Sequence, residues 1–381
     1  MSREKQIIVG VDIRDLQVAK TGQRTVIEEL CRQFRTIGDD RFKFVFFDTS
    51  IPVYTGKKKS FLLFEHIRYQ FWKQMILPVK AWWSNCDILF CGDYFVPYVH
   101  LGYKTVEIFY DAFFFEYPTH YNKLWLKIFH HIAIPAARRC SYIMTITEYA
   151  RKKVHLHTQI PENRLVTIYP GPKSLQAKSS SSTIPVNLKM IEGQKYILHV
   201  GVMEKRKNLP ALINAFKQLR ESGYTELKLV IVGKGNGKTF SDDTEQVKAA
   251  IQKNHLENHI ILTGYLPDEE VGIIYRHAFM YVFPSINEGF GIPIMEAFKF
   301  NLPVLVADNT CLPEVGGDAV ITFDPFNEQD IYTKMKQVLD DEQLRMKLIE
   351  KGQQRLQQFT WEKAAEKLMV VFKQAYDEQY E

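Results

Sequence analysis

The sequence predicts an α/β protein of two doubly wound, Rossmann-like domains, and three observations carry that expectation. Twelve short β-rich runs alternate with amphipathic stretches along the chain, six before the segment Gly171–Gly193 and six after it. The runs are continuously apolar and do not alternate in polarity, as expected for parallel strands covered on both faces. The length of 381 residues is too great for one ordinary core and suits two domains of about 100–200 residues.

The elements follow in order. The first half holds IIVGVD, FKFVFF, CDILFCG, KTVEIFYD, SYIMTIT and RLVTIY; the second holds KYILHVG, LKLVIVG, HIILTG, MYVFP, LPVLVA and AVITF. The opening run is broken by Asp12, so it reads as a buried strand and not as a secretory signal. Helical patterns lie between the runs, among them Leu209–Gly223, closed by Gly223 at a C-terminal cap. Gly171–Gly193 is rich in Ser and Lys with no sustained apolar period, which marks a linker. The expected division is therefore 1–172, a linker 173–194, a second domain 195–360 and a helix over 361–381 with Thr360 as its N-cap.

Composition narrows the functional classes. At 46% hydrophobic and 24% charged residues the chain is globular, which excludes disorder, collagen-like repeats and coiled-coil rods. A net charge of +5 without a concentrated basic stripe argues against nucleic-acid binding. Five scattered cysteines with no Cys-x-x-Cys pair favour a reducing, cytoplasmic setting over a zinc site or a disulfide framework. No stretch approaches the ~20 apolar residues of a spanning helix. The segment Lys57-Lys58-Lys59 followed by FLLFEHIRYQFWKQMILPVKAWW admits a peripheral contact with the inner face of a membrane. It equally admits a helix that packs its aromatic face on the core, and patterning alone favours the latter.

In open parallel sheets ligands bind beyond the carboxyl ends of the strands. After KYILHVG, Lys205, Arg206 and Lys207 stand directly ahead of a helix expected to be capped by Asn208, where cations and free N–H groups suit an anion such as phosphate. A solvated charged turn is the plain alternative. KGNGK (Lys234–Lys238) lacks Walker spacing and reads as a turn. After MYVFP, Glu288-Gly289-Phe290-Gly291 precedes Pro293, and Glu296 follows Glu288 with seven residues between. The glycines allow close backbone approach, and the two carboxylates can address different hydroxyl pairs of one extended ligand. A capping Glu288 and an ordinary surface Glu296 are the plain alternative.

These segments resemble the retaining glycosyltransferases of family 4. The carriers are HVGVMEKRKNLPALINAF, KLVIVGKG, ILTGYLPDEEV, the E-x7-E segment EGFGIPIMEAF and FTWEKAA, with weaker matches in GVDIRDL…KTG, FYDAFFFEYP, TITEYARKKV and VTIYPG. The resemblance implies a GT-B fold, two domains facing a cleft, with the C-terminal helix returning to the first. It implies a sugar moved from a nucleoside diphosphate sugar to a glycan or lipid-linked acceptor, with no metal and no cofactor beyond the donor. Lys207 matches the lysine on the donor diphosphate, Glu288 the glutamate near the transferred sugar and Glu296 the one that holds the ribose. Gly289, Phe290 and Gly291 offer amides to sugar and diphosphate, Gly201 and Gly233 join the donor set, and Gly22 stands where a first-domain loop passes the phosphates.

Two departures from the family pattern concern the chemistry. Val202 follows Gly201 where many members carry Arg, and Arg206 is expected to supply that charge, as in the RKN-type subset. Tyr110-Asp111 stands where many members have His-Asp, which makes Tyr110 and Asp111 the first-domain catalytic candidates. Two rival readings accompany the transferase: a GT-B sugar-nucleotide epimerase, which would form an epimer without acceptor, and a non-catalytic nucleotide-sugar binder.

Overall fold

A computed structural model describes residues 5–19, 21–54, 56, 58–118, 121–173, 189, 191–235, 237 and 241–378. Most of the expected linker 173–194, and Asn236 and Lys238 of KGNGK, lie outside the described residues.

All twelve expected strands form: β1 Ile7–Asp12, β2 Phe42–Phe47, β3 Ile88–Cys91, β4 Lys104–Phe109, β5 Tyr142–Thr145, β6 Leu165–Thr167, β7 Tyr196–Val200, β8 Lys228–Val232, β9 Ile260–Gly264, β10 Met280–Phe283, β11 Val304–Ala307 and β12 Val320–Phe323. They make two six-stranded sheets, ordered β2-β1-β3-β4-β5-β6 and β12-β11-β10-β7-β8-β9. Every strand pairing is parallel, for example Ile197 opposite Leu229 and Val282 opposite Leu305. The continuous apolar runs have the cause proposed for them: β3, β10 and β11 are buried at every residue.

The chain divides into two compact units, Met1–Pro170 with Thr360–Glu381, and Gly171–Phe359. The terminal helix Trp361–Asp377 starts where Thr360 accepts a hydrogen bond from the Lys363 amide at 3.2 Å. Its apolar stripe, including Ala365, Leu368 and Phe372, is buried within the first unit. Phe372 lies edge-on to Phe90 of β3 with ring centres 5.5 Å apart, and burying a ring of that size contributes roughly 2–3 kcal/mol.

The segment after Lys58 behaves otherwise than its pattern suggests. Helix Lys59–Phe71 runs through a π-helical turn, Trp72–Ile76, into helix Leu77–Trp83. Its aromatic face is not packed on the core: Phe64, Phe71 and Trp83 are exposed, while Glu65 and Lys73 are buried. The inward places are shared by Trp72, Leu77 and Ala81 with a polar network described below. No helix among the described residues is long and apolar enough to cross a membrane.

Candidate active site

The second sheet reverses its strand order between β7 and β10. The chain builds outward from β7 through β8 to β9, then restarts on the opposite side of β7 with β10. At such a switch point the loops leaving the two central strands diverge and open a crevice at their carboxyl ends. Lys205–Lys207 leave β7 and Pro284–Gly291 leave β10, so the topology brings together two segments about eighty residues apart in sequence.

Lys207 ends a one-turn 3₁₀ helix and is buried. Its Nζ donates to Glu288 Oε1 at 2.6 Å and lies 4.7 Å from the centre of the Phe283 ring. Arg206 Nη1 reaches the same Oε1 at 2.8 Å, and Arg206 Nε donates to Glu204 Oε2 at 2.7 Å. The backbone fixes this meeting: the Ile286 amide donates to the Arg206 carbonyl at 2.8 Å, and Arg206 Nη1 donates to the Asn287 carbonyl at 3.1 Å. Burial alone would raise the Glu288 pKa, but Arg206 and Lys207 together bring it down to about 2, so the carboxylate is ionised. Burial pushes Lys207 down against the opposing pull of Glu288, and Arg206 rises because Glu288 and Glu204 outweigh its burial.

Asn208 does not cap the following helix as expected. It adopts a left-handed conformation, φ 53°, and its Nδ2 donates to the Pro325 carbonyl at 2.7 Å. Pro210 in the first turn removes one N–H that a cap would have had to satisfy. Gly223 falls just past the helix end at φ 110°, a conformation that favours glycine.

Gly201 and Gly233 meet back to back. A Cβ on Gly233, whose φ is 134°, would fall 1.9 Å from the Gly201 carbonyl oxygen, so only glycine lets the loops after β7 and β8 touch. A Cβ on Gly201 would stand 3.3 Å from both Lys207 Cε and His199 Nε2, so its bare Cα leaves room beside the lysine. His199 did not figure among the sequence candidates. It is fully buried, and its Nδ1 lies 3.1 Å from the Val282 carbonyl and must carry the proton there. Burial, then Lys207, lowers its pKa to about 3, so the ring is neutral. Its Nε2 has no hydrogen-bond partner among the described residues, and neither have Ser285 Oγ and Asn287 Oδ1 in the loop after β10. Buried polar atoms in this state are rare, and two on the loop after β10 with a third on β7 mark a place where a ligand can complete the bonding.

Glu296 is not a surface residue. It is buried in the helix Ile292–Lys299, where the Tyr275 hydroxyl donates to its Oε2 at 2.9 Å; burial raises its pKa against that bond. Glu288 and Glu296 have different hydrogen-bond partners, and Tyr281 lies in the field of both. Gly291, at φ 93°, supplies the left-handed turn that starts this helix. Phe290 turns its ring inward, 5.9 Å from the Phe359 ring, while the half-buried Gly289 leads into the turn.

The first-unit candidates are placed differently. Gly22 lies in the first turn of helix Thr21–Thr36 and not in a loop, because the apolar stripe Val26, Ile27, Leu30, Phe34 extends the helix back to it. Asp111 Oδ1 accepts from the Phe113 amide at 3.2 Å at the start of a short helix. Tyr110 is buried, and its hydroxyl donates to the Gly92 carbonyl at 2.8 Å. Burial raises that phenol well above its ordinary pKa, which suits a fixed donor better than a proton carrier. Tyr110→Phe is expected to cost about 1–3 kcal/mol of stability by orphaning that carbonyl, and to change turnover less than threefold. A tenfold loss of turnover in the folded variant would restore Tyr110 as a catalytic residue.

The first sheet has its own switch point, between β1 and β3, and sequence reasoning missed what stands there. Lys73, fully buried in the π-helical turn, lies 2.7 Å from Asp12, 3.2 Å from Asp15 and 2.5 Å from Asp93. Tyr69 donates to Asp93, Trp72 Nε1 donates to Asp12 at 3.2 Å, and Arg14 pairs with Glu65 at 2.6 Å. Burial, then Asp93, pushes the Asp15 carboxyl up to about 7.

A family model described as glycosyl transferases group 1 matches residues 181–355. O-antigen chain mannosyltransferase B of Escherichia coli is 28% identical over 290 residues, 75% of this chain and 74% of that protein. The serotype-specific mannosyltransferase WbdA of Escherichia coli is also 28% identical, but over 60% of this chain and only 28% of its own length. Among solved structures, Anabaena HepE in complex with UDP and glucose aligns over 97% of this chain and 100% of its own, with a TM-score of 0.69 at 16% identity. That last likeness is one of fold, of the GT-B kind. Through residues 181–355, which include Lys207, Glu288 and Glu296, the chain is similar to the group 1 glycosyl transferases.

Proposed function

We propose that this glycosyltransferase takes a sugar from a nucleoside diphosphate sugar held by its second unit and passes it, with retention, to a glycan or lipid-linked acceptor held by its first. The mannosyltransferase relatives make a mannosyl group the first sugar to try. One observation carries the reading: Lys207 and Arg206 converge on Glu288 at the switch point, within 2.6 and 2.8 Å.

The cluster of Lys207, Arg206, Glu288 and Glu204 is balanced, two cations against two carboxylates. A diphosphate competes with Glu288 for Lys207, and the displaced carboxylate becomes an acceptor for sugar hydroxyls. Lys207 would then face the β-phosphate. In the reaction the bond from the anomeric carbon to the phosphate oxygen breaks, and its electron pair leaves with the nucleoside diphosphate. The acceptor hydroxyl forms the new bond on the same face, and its proton passes to the departing oxygen. Lys207, Arg206 and the amides of Gly289–Gly291 would stabilise the charge that develops, which is where preorganised electrostatics contribute most. The positive charge needed at the leaving group is thus available from side chains, and the enzyme is proposed to work without a metal and with no cofactor beyond the donor. Glu296, buried and hydrogen-bonded, is proposed to accept from the ribose.

Calorimetry with UDP and GDP tests the exchange of partners. Glu288→Gln removes the competitor for Lys207, so its affinity for the matching diphosphate is expected to rise about tenfold, while transfer from the intact donor falls about 10²-fold. Weaker or unchanged diphosphate binding by this variant would overturn the proposed exchange. The anomeric configuration of the product, read by NMR with GDP-mannose and UDP-sugars as donors, tests retention and sugar choice together.

A further inference from the structure

Arg206 and Lys207 meet at Glu288 but are anchored differently. Arg206 has partners of its own: its Nε donates to Glu204 at 2.7 Å and its Nη1 to the Asn287 carbonyl at 3.1 Å. The Lys207 side chain has one hydrogen-bond acceptor among the described residues, Glu288 Oε1 at 2.6 Å, and otherwise lies 4.7 Å from the centre of the Phe283 ring. An ammonium carries three N–H donors, so a buried lysine held in this way is under-bonded. Once a diphosphate displaces Glu288, Lys207 needs another protein partner to stay in place.

His199 of β7 offers one. The ring is fully buried, and with the proton at Nδ1, 3.1 Å from the Val282 carbonyl, Nε2 presents a lone pair. Gly201 shows where that lone pair lies. The three atoms nearest to a Cβ built on Gly201 are His199 Nε2 at 3.3 Å and Lys207 Cε and Nζ at 3.3 and 3.5 Å. The ring nitrogen and the ammonium therefore border the same small space, kept open by the missing side chain of Gly201. Nε2 has no partner among the described residues. A diphosphate cannot supply one directly, because its ionised oxygens, like Nε2, only accept.

We propose that His199 is the positioning residue of Lys207: when Glu288 turns to the sugar, Lys207 gives one N–H to His199 Nε2 and keeps the others for the diphosphate. This inference rests on the diphosphate reading above and adds to it a residue that touches no substrate. The neutrality of the ring suits it to the task. A further carboxylate would hold the ammonium but also cancel the charge that the leaving group needs, whereas a neutral acceptor holds it and leaves the charge whole. Burial, then Lys207, lowers the His199 pKa to about 3, so the lone pair persists at neutral pH. Through Nδ1 the same ring holds Val282 of β10, the strand paired with β7, and so ties the lysine to the two strands whose loops form the crevice.

Two substitutions divide the functions of the ring, read by calorimetry of the full chain with UDP and GDP. His199→Asn keeps a donor near the Nδ1 position for the Val282 carbonyl and deletes the Nε2 acceptor. His199→Gln places an amide oxygen near the Nε2 position and gives up the Val282 bond. Affinity for the tighter-binding nucleotide is expected to fall about tenfold in His199→Asn, as for one hydrogen bond to a charged group, and about threefold or less in His199→Gln. A ring that only braces β10 would give the opposite order and overturn the proposal. With its histidine nitrogens isotopically labelled, the unmodified chain gives a second readout by NMR. The His199 Nε2 resonance is expected to move upfield when nucleotide is added, as a nitrogen lone pair does on accepting a hydrogen bond; a resonance that stays in place overturns the proposal. In a Lys207→Met background His199→Asn is expected to cost nothing further, since the ring acts through the lysine, and an additional loss there would show that it does not. Should Lys207→Met bind both nucleotides as the parent does, the diphosphate reading itself falls, and this inference with it. Should Lys207→Met lose affinity while His199→Asn keeps it, that reading stands and the positioning role alone falls.

Discussion

Replacing Lys207 with methionine is expected to lower turnover by about 10²- to 10³-fold while leaving the protein folded, because the variant removes the charge proposed to face the leaving group from a site that can tolerate its loss. The tolerance comes from Arg206, which holds the same Glu288 oxygen at 2.8 Å and keeps that buried carboxylate partnered. Methionine fills most of the lysine volume beside the Phe283 ring, so a small fall in melting temperature is expected. A purely structural Lys207 would show the reverse, a clear loss of stability with near-normal turnover per folded molecule. Nucleoside diphosphate affinity separates the two further: it should fall in Lys207→Met and rise in Glu288→Gln, although both variants break the same 2.6 Å pair. Turnover within threefold of the parent in Lys207→Met would remove the lysine from the mechanism.

That pair also shows how far the sequence can be read. The strands were legible because the central ones are buried on both faces of a parallel sheet and so are apolar throughout, as in Val304–Ala307. The terminal helix was legible for a similar reason: Thr360 and the apolar stripe through Phe372 are local signals. The meeting of Lys207 with Glu288 was not, since it depends on β10 lying beside β7, and strand order is set by crossovers that no local pattern encodes. His199 was hidden in the same way, inside a run that reads as plain strand. The segment after Lys58 misled for another reason. Counting its apolar residues assumes that they all go inward, but only some do, such as Trp72, Leu77 and Ala81, and Glu65 and Lys73 share the inward face because Arg14, Asp12, Asp15 and Asp93 are there to pair with them.

Lys73→Met is expected to destabilise the first unit by about 3–5 kcal/mol at pH 8, the usual cost of removing one partner from a buried ionic cluster. Lys73 is fully buried and lies within 3.2 Å of three carboxylates, so its loss leaves Asp12, Asp15 and Asp93 without the cation they share. The cost should depend on pH, with a definite sign. Asp15 is already raised from 3.8 to about 7, by burial and by Asp93, even with Lys73 in place, and Asp12 is raised by burial. Without the lysine these carboxyls rise further above their unfolded values, so the folded variant takes up protons that the unfolded chain releases. Its stability is therefore greatest in acid and is lost as the pH rises through the folded pKa values, and the deficit against the parent should shrink between pH 8 and pH 5. Adding Asp93→Asn to Lys73→Met removes one of the stranded charges and should recover part of the loss at pH 8. All five tryptophans, Trp72, Trp82, Trp83, Trp125 and Trp361, belong to the first unit, so urea unfolding followed by tryptophan fluorescence reports on that unit alone. A loss below 1 kcal/mol at pH 8, or a deficit that grows towards acid, would show that the three carboxylates do not depend on Lys73.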